Sequence, residues 1–235
     1  MIFTHNSKKD LEIVIEALKR GEPFGLARFG DGEERMYMGG TYHCSDGWVS
    51  KPNKNSVYRR KIGDSIRYCH DRYHVGVRAP RGLAVMAWTV NNVRTPPERW
   101  CDPCLFVNAR WDRARKFFVG FRRHCLLVGS GKGVDFKIPH NCIEPEYKYG
   151  KLLKTLLSTK KTILLAAGPL ANILVMDYIE AGGQQAIVDI GTVLDYELFG
   201  KPTRGYMRAA LKKKARKKRR GGKKPKKRPP KRRKK

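Results

Sequence analysis

The sequence lacks any apolar run long enough to cross a bilayer, and residues 1–10 lack the apolar core of a secretory signal peptide. It has no internal repeat, and no Gly-x-Gly-x-x-Gly loop follows its first predicted strand, which disfavours a Rossmann-like methyltransferase. Without a secretory signal, its six cysteines indicate reduced thiols in a cytosol-like compartment. We therefore expect a cytoplasmic or other intracellular protein with no transmembrane segment.

The last 25 residues contain no acidic and no aromatic residue, but they hold 18 of the 51 lysines and arginines. The remaining 33 basic and 21 acidic residues give the body a net charge of +12, against +30 for the whole chain. Because like charges repel and little in this tail can be buried, we expect it to be disordered. The sequence thus predicts one domain over residues 1–207 and a basic tail over residues 208–235.

The tail is expected to bind polyanions in a salt-dependent way, whether nucleic acid, an anionic membrane surface or an acidic glycan. A basic cluster of this kind also resembles a nuclear-localisation signal. The alternative is a solvated tail that only improves solubility.

The body alternates predicted helices and strands, which is typical of an α/β domain with a mostly parallel sheet flanked by helices. Apolar residues at helical spacing predict a first helix over residues 8–20, with Ser7 in a capping box. Apolar runs predict strands over residues 24–29, 73–77, 105–108, 125–129, 162–167 and 185–190.

Two carboxylates follow the first of these strands. Gly30 and Gly32 allow the backbone to turn, so that Asp31 and Glu33 can point toward one place. Carboxylate oxygens are the ligands that Mg²⁺ and Mn²⁺ prefer, and such a metal in turn suits a diphosphate. The alternative is a solvated turn whose acids cap the next helix.

The turn at Gly168 and Pro169 carries the strand over residues 162–167 into a helix. The start of a helix offers free N–H groups and a partial positive charge, which suit a phosphate. The alternative is an ordinary strand-to-helix joint with nothing bound.

A third group of polar residues follows the strand that ends near residue 190. Asp189, Gly191, Asp195 and Glu197 lie at or just after its carboxyl end. Ligands of open α/β sheets bind beyond the carboxyl ends of the strands, so these acids are expected to share a rim with Asp31 and Glu33. Alternatively, Asp189 caps a turn, while Asp195 and Glu197 face solvent.

The segment over residues 28–33, the Gly168-Pro169 unit and residues 189–197 occur in the order found in the GT-D-type glycosyltransferases, which this chain resembles over residues 8–200. The resemblance implies a Rossmann-like fold, a nucleotide-sugar donor and a divalent metal bound by Asp31 and Glu33. One departure is Thr192, because relatives often carry His at that position. The basic tail is also not part of the family pattern.

These features together predict a metal-dependent glycosyltransferase that moves a sugar from a nucleotide sugar, a UDP-sugar in particular, to a hydroxyl of a glycan or protein acceptor. Mn²⁺ or Mg²⁺ would be the cofactor. Arg28 would stabilise the leaving diphosphate, and, if the enzyme inverts the anomeric configuration, Asp195 or Glu197 would act as general base. The donor would contact the residues that form the three strand ends, Gly30, Gly32, Gly168, Pro169, Asp189 and Gly191. The rival hypothesis is a nucleic-acid-binding protein that uses the tail, with the α/β body as a platform.

Two further motifs imitate known sites. Residues 100–104 match the Trp-Cys-x-x-Cys pattern of thioredoxin, but the residues before them make a poor strand, so we expect two ordinary thiols. Residues 129–133 suggest a phosphate loop, but Gly133 stands where the Walker pattern has Ser or Thr, so we expect a loop at the sheet rim.

Overall fold

The computed structural model describes residues 1–43, 49–50, 57–77, 91–108, 111–140 and 148–212. Seven strands form the main sheet, and Tyr42–His43 (β2) and Val49–Ser50 (β3) form a separate antiparallel pair. The strands of the main sheet are β1 (Gly25–Arg28), β4 (Tyr73–Gly76), β5 (Trp100–Cys101), β6 (Cys125–Gly129), β7 (Phe136–Lys137), β8 (Thr162–Ala166) and β9 (Ile187–Asp189).

The main sheet has the order β5-β4-β1-β9-β8-β6-β7, and every pair in it is parallel. The prediction of an α/β fold with a parallel sheet is therefore confirmed. Strand β1 lies near the middle, with Leu26 aligned with His74 of β4 on one side and with Val188 of β9 on the other. The carboxyl ends of β1 and β9 are consequently neighbours.

Helices cover both faces of this sheet. They are α1 (Ser7–Arg20), α2 (Asp31–Tyr37), α3 (Val57–Arg67), α4 (Leu105–Asn108), α5 (Trp111–Phe121), α6 (Gly150–Ser158), α7 (Leu170–Glu180) and α8 (Asp195–Phe199). Residues 205–212 are also helical. In the part of the chain that the structure describes, no helix is long and apolar enough to span a membrane.

The alternation of side chains along β1 divides the core into two clusters, because successive residues of a strand point to opposite faces. Ala27 packs with residues of α2, α3, α6 and α7 on one face. Leu26 packs with residues of α1, α4, α5 and α8 on the other. Helix α7 is buried on all sides from Leu170 to Ile179, which makes it the central helix of the first face.

The prediction was wrong at residues 105–108, which form the short helix α4 rather than a strand. The edge strand is instead Trp100–Cys101, which pairs with β4. The cause is Asp102, whose carboxylate accepts a hydrogen bond from the N–H of Cys104 at 2.7 Å and whose carbonyl accepts one from Leu105 at 2.8 Å, so the chain turns immediately after β5.

The first helix begins one residue earlier than predicted, because Asn6 rather than Ser7 caps it. At the other end of the body, the helix over residues 205–212 crosses the predicted boundary at residue 207, and Met207 is fully buried. The rest of the tail, residues 213–235, lies outside the described residues, as does most of the sequence between residues 44 and 56.

Candidate functional site

An ion pair joins the two central strands at their carboxyl ends. The Arg28 Nε lies 3.2 Å from Asp189 Oδ2, and Arg28 Nη2 donates to Asp189 Oδ1 at 3.3 Å. The side chains are only 14% and 7% exposed. Burial raises the pKa of Asp189, and the Arg28 guanidinium opposes that rise. Arg28 also donates to the carbonyl of Pro103 at 2.9 Å, which ties the loop after β5 to the same point.

Gly191 is required where it stands because of this ion pair. Its φ of +52° lies in the left-handed region, and a Cβ at this position would come within 1.9 Å of Arg28 Nη2. Its N–H donates to Asp189 Oδ1 at 2.8 Å. Asp189 therefore does stabilise a turn, as one of the alternatives proposed, while it also holds Arg28.

Asn172 brings the start of α7 to the end of β1. It accepts from the N–H of Arg28 and donates to the carbonyl of Arg28, each at 3.1 Å, and it is fully buried. Gly168, with φ of +53°, makes the turn that leads into this helix, and Pro169 precedes its first residue. Asn172 was not predicted from the sequence, although a lone amide in an otherwise apolar helix was a signal that could have revealed it.

Glu33 lies on α2 and closes the start of that helix. Its Oε2 accepts a hydrogen bond from the N–H of Gly30 at 2.8 Å, so one of its carboxylate oxygens caps the helix. Burial raises the pKa of Glu33 to about 7, with nearby Asp189 acting in the same direction and Arg28 opposing it. The Glu33 carboxylate thus shares one electrostatic environment with the Arg28–Asp189 pair.

The other residues of this loop are described less fully. Asp31 is the first residue of α2 and Gly32 the second, but the Asp31 side chain lies outside the described part of the structure. Among the side chains that are described, no group of three or more His, Cys, Asp and Glu residues forms a metal site.

The two candidate bases on α8 have different surroundings. Asp195 is 4% exposed and accepts a hydrogen bond from the Thr203 hydroxyl. Glu197 forms an ion pair with Arg115 of α5 and reaches solvent. Of the two acids, Glu197 is therefore the one that presents its carboxylate to solvent.

Thr192 contacts the helix over residues 205–212. Its hydroxyl lies 2.6 Å from the hydroxyl of Tyr206, and both residues are half-buried. The ring of Tyr206 meets the ring of Trp111 edge-on, with 6.2 Å between centroids. Trp111 itself is part of the core and donates to the carbonyl of Val193 at 3.1 Å.

The two motifs that resemble known sites, at residues 100–104 and 129–133, make structural contacts. Cys101 is buried in β5, where burial raises its thiol pKa well above the usual value, and Cys101 and Cys104 are both free. The loop over residues 129–133 is attached to α8, because the main-chain N–H of Lys132 donates to the carbonyl of Leu198 at 2.9 Å. A Cβ on Gly131 would lie 2.5 Å from the Leu198 side chain, so this loop packs closely against α8.

The sequence matches no family model and no curated protein. Among solved structures, a selenomethionine-substituted domain of unknown function 1792 (DUF1792) is similar, with a TM-score of 0.50 and 17% identity over 79% of each chain. A second DUF1792 structure, described as having a distinct glycosyltransferase fold, aligns with a TM-score of 0.47 and 16% identity over 79% of each chain. The chain shares the α/β fold of the first domain.

Proposed function

We propose that the protein is a glycosyltransferase of the GT-D type, which moves a sugar from a nucleotide sugar to an acceptor hydroxyl with the help of a divalent metal. The observation that carries this proposal is the junction of four elements at one rim. Arg28 at the end of β1 pairs with Asp189 at the end of β9, is held by Asn172 at the start of α7, and interacts with Glu33 on α2. This is where an open α/β sheet binds its ligand.

The surroundings of Glu33 support a divalent metal at this rim. Burial raises the pKa of the Glu33 carboxylate to about 7, and a second carboxylate, Asp189, lies near it. A cation at this rim would favour the ionised form of the Glu33 carboxylate, which burial disfavours. In the proposal Asp31 and Glu33 hold the metal, which when bound would counter the charge of the departing diphosphate.

The remaining groups are assigned to binding and orientation. The N–H groups at the start of α7, after Gly168 and Pro169, would bind a donor phosphate. Gly30 and Gly32 would let the backbone approach the donor, whereas Gly191 leaves room for the Arg28 guanidinium. In this proposal Arg28 has a double role, since it fixes Asp189 and adds positive charge where the leaving group develops negative charge.

Glu197 is the preferred candidate for the general base. Asp195 is buried and accepts a hydrogen bond from the Thr203 hydroxyl, whereas the Glu197 carboxylate reaches solvent beside Arg115. General-base assistance typically contributes roughly 10²–10⁴-fold to a rate. Glu197→Gln is therefore expected to lower turnover by about that factor and to leave donor affinity unchanged, with Glu180→Gln, an exposed acid at the end of α7, as control.

The experiment that tests the proposal is a thermal-shift panel of UDP-, GDP- and dTDP-sugars with Mn²⁺, followed by donor hydrolysis with and without the metal. A ligand at a concentration of about 100 Kd stabilises the folded state by about 2.7 kcal/mol, which such a panel detects readily. If no nucleotide sugar raises the melting temperature and none is hydrolysed, the proposed function is wrong.

A second candidate function, polyanion binding, rests on the 18 basic residues between positions 211 and 235. The test is to compare heparin and RNA binding of the full chain with that of a chain that ends after Lys212. Truncation there, rather than at residue 207, keeps the helix that contains buried Met207. We expect the shorter chain to retain donor hydrolysis and to lose most polyanion affinity.

A further inference from the structure

A pair of hydroxyl groups lies next to the Gly191 turn of the candidate site. Thr192 follows Gly191, the glycine whose missing Cβ leaves room for the Arg28 guanidinium. Its hydroxyl lies 2.6 Å from that of Tyr206, which comes from the C-terminal helix over residues 205–212. This contact joins two parts of the chain that sequence patterns treat as unrelated.

The pair is held firmly from both sides. On the side of the turn, Asp195 accepts a hydrogen bond from Thr203, which fixes the segment leading to the C-terminal helix. On the side of that helix, Met207 is fully buried among residues that include Val193, and the Tyr206 ring rests edge-on against Trp111. The contacts on both sides therefore hold the two hydroxyls in one arrangement.

The chemistry of the pair suits a sugar better than a phosphate. Burial raises the pKa of Tyr206, so the phenol keeps its proton. Their mutual bond uses one of the two hydroxyl hydrogens, so the pair can still donate one hydrogen bond and accept others. A sugar hydroxyl also donates and accepts, whereas a phosphate only accepts and favours cationic or N–H donors. Both residues are half-buried, which leaves part of each within reach of a ligand.

We propose that the hydroxyls of Thr192 and Tyr206 together bind a hydroxyl group of the donor's sugar. This assignment rests on the proposed glycosyltransferase function, and it gives the C-terminal helix a part in donor recognition. It also assigns a role to Thr192, the position at which the chain departs from the family pattern.

The test compares the affinity for a nucleotide sugar with the affinity for the corresponding nucleotide. UDP and UDP-glucose, with GDP and GDP-mannose and with dTDP and dTDP-glucose alongside, are titrated calorimetrically into the full chain in Mn²⁺. Tyr206→Phe and Thr192→Val each remove one hydroxyl and keep the shape of the side chain. The matched control is Tyr196→Phe, which alters an exposed tyrosine on neighbouring α8.

Each of the two variants is expected to weaken the nucleotide sugar about tenfold relative to the nucleotide alone, because one hydrogen bond is lost and its partner is left unsatisfied. The double variant is expected to be little worse than either single one, since the hydroxyls act as a unit. Equal weakening of both ligands, or no weakening, would overturn this assignment and leave the glycosyltransferase proposal standing. If the unmodified protein binds none of these ligands, both proposals fail.

Discussion

The carboxamide of Asn172 bonds both main-chain polar groups of Arg28, accepting from its N–H and donating to its carbonyl at 3.1 Å. A buried side chain of α7 thus makes the hydrogen bonds at the end of β1 that a neighbouring strand would otherwise make. The consequence is that α7 and β1 are fixed relative to each other at the rim where Arg28 meets Asp189.

Asn172→Leu is expected to destabilise the fold, because it leaves an N–H and a carbonyl of Arg28 buried without partners. Each such unsatisfied group costs about 1–3 kcal/mol, so we expect the free energy of unfolding to fall by about 2–6 kcal/mol. Urea denaturation measures this directly. Gln184→Leu, at an exposed amide that bonds only locally, is the control and should change stability by less than about 0.5 kcal/mol.

Gly191→Ala tests the close approach of Arg28. The substitution imposes a left-handed residue with a Cβ, which costs about 1–2 kcal/mol, and adds a clash with the guanidinium. Gly182→Ala is matched, since Gly182 also has a positive φ, of +80°, but a Cβ there would meet no atom of the described residues within 4 Å. Chemical denaturation should therefore show a larger loss for Gly191→Ala, and the excess should disappear in an Arg28→Ala background.

His74 makes the free energy of unfolding depend on pH. It is 2% exposed in β4, between the rings of Phe3 and Phe24, and burial lowers its pKa to about 4. Because the unfolded chain has the higher pKa of 6.5, it binds a proton first as the pH falls. The stabilisation that comes from the neutral, buried His74 ring is fully present above pH 6.5. It is lost between pH 6.5 and 4, at up to about 1.4 kcal/mol per pH unit.

Unfolding free energies measured across that pH range, with His74→Gln as the comparison, check the effect. The variant should be less stable near neutral pH but should show a shallower loss on acidification. Parallel pH profiles for the two proteins would show that another group is responsible.

Cysteine accessibility tests the assignment of the Cys-x-x-Cys segment. Cys101 is buried with a raised thiol pKa, whereas Cys69 is exposed. Since the thiolate is the reactive form, iodoacetamide at about pH 8 should modify Cys69 quickly and Cys101 only after unfolding. Peptide mass spectrometry resolves the two sites, and rapid labelling of native Cys101 would contradict the assignment.

The fold was predictable where local pattern and tertiary structure agree. The apolar runs at β6, β8 and β9 are strands buried in a parallel sheet, and the Gly168 turn begins a helix as expected. The prediction failed at residues 105–108, because a single carboxylate, Asp102, turned an apolar segment into a helix that intrinsic preference alone does not favour.

Part of the site was also readable from the sequence. The prediction placed Asp189 on one rim with Asp31 and Glu33, and in the structure Asp189 lies beside Arg28 and near Glu33. The bond between Thr192 and Tyr206 was not foreseeable, because it depends on how the chain after α8 folds back onto the turn at Gly191. The sequence signal at Asn172 does not identify its partner, because Arg28 lies 144 residues away in sequence.

The most direct test of the central claim is calorimetric titration of UDP into the full chain with Mn²⁺, for the unmodified protein and for Asp31→Ala and Glu33→Gln, with Glu180→Gln as control. We predict that UDP binds the unmodified protein and the control in a metal-dependent manner and that both rim variants lose that dependence. Undiminished, metal-dependent binding by Asp31→Ala and Glu33→Gln would contradict the proposed metal site.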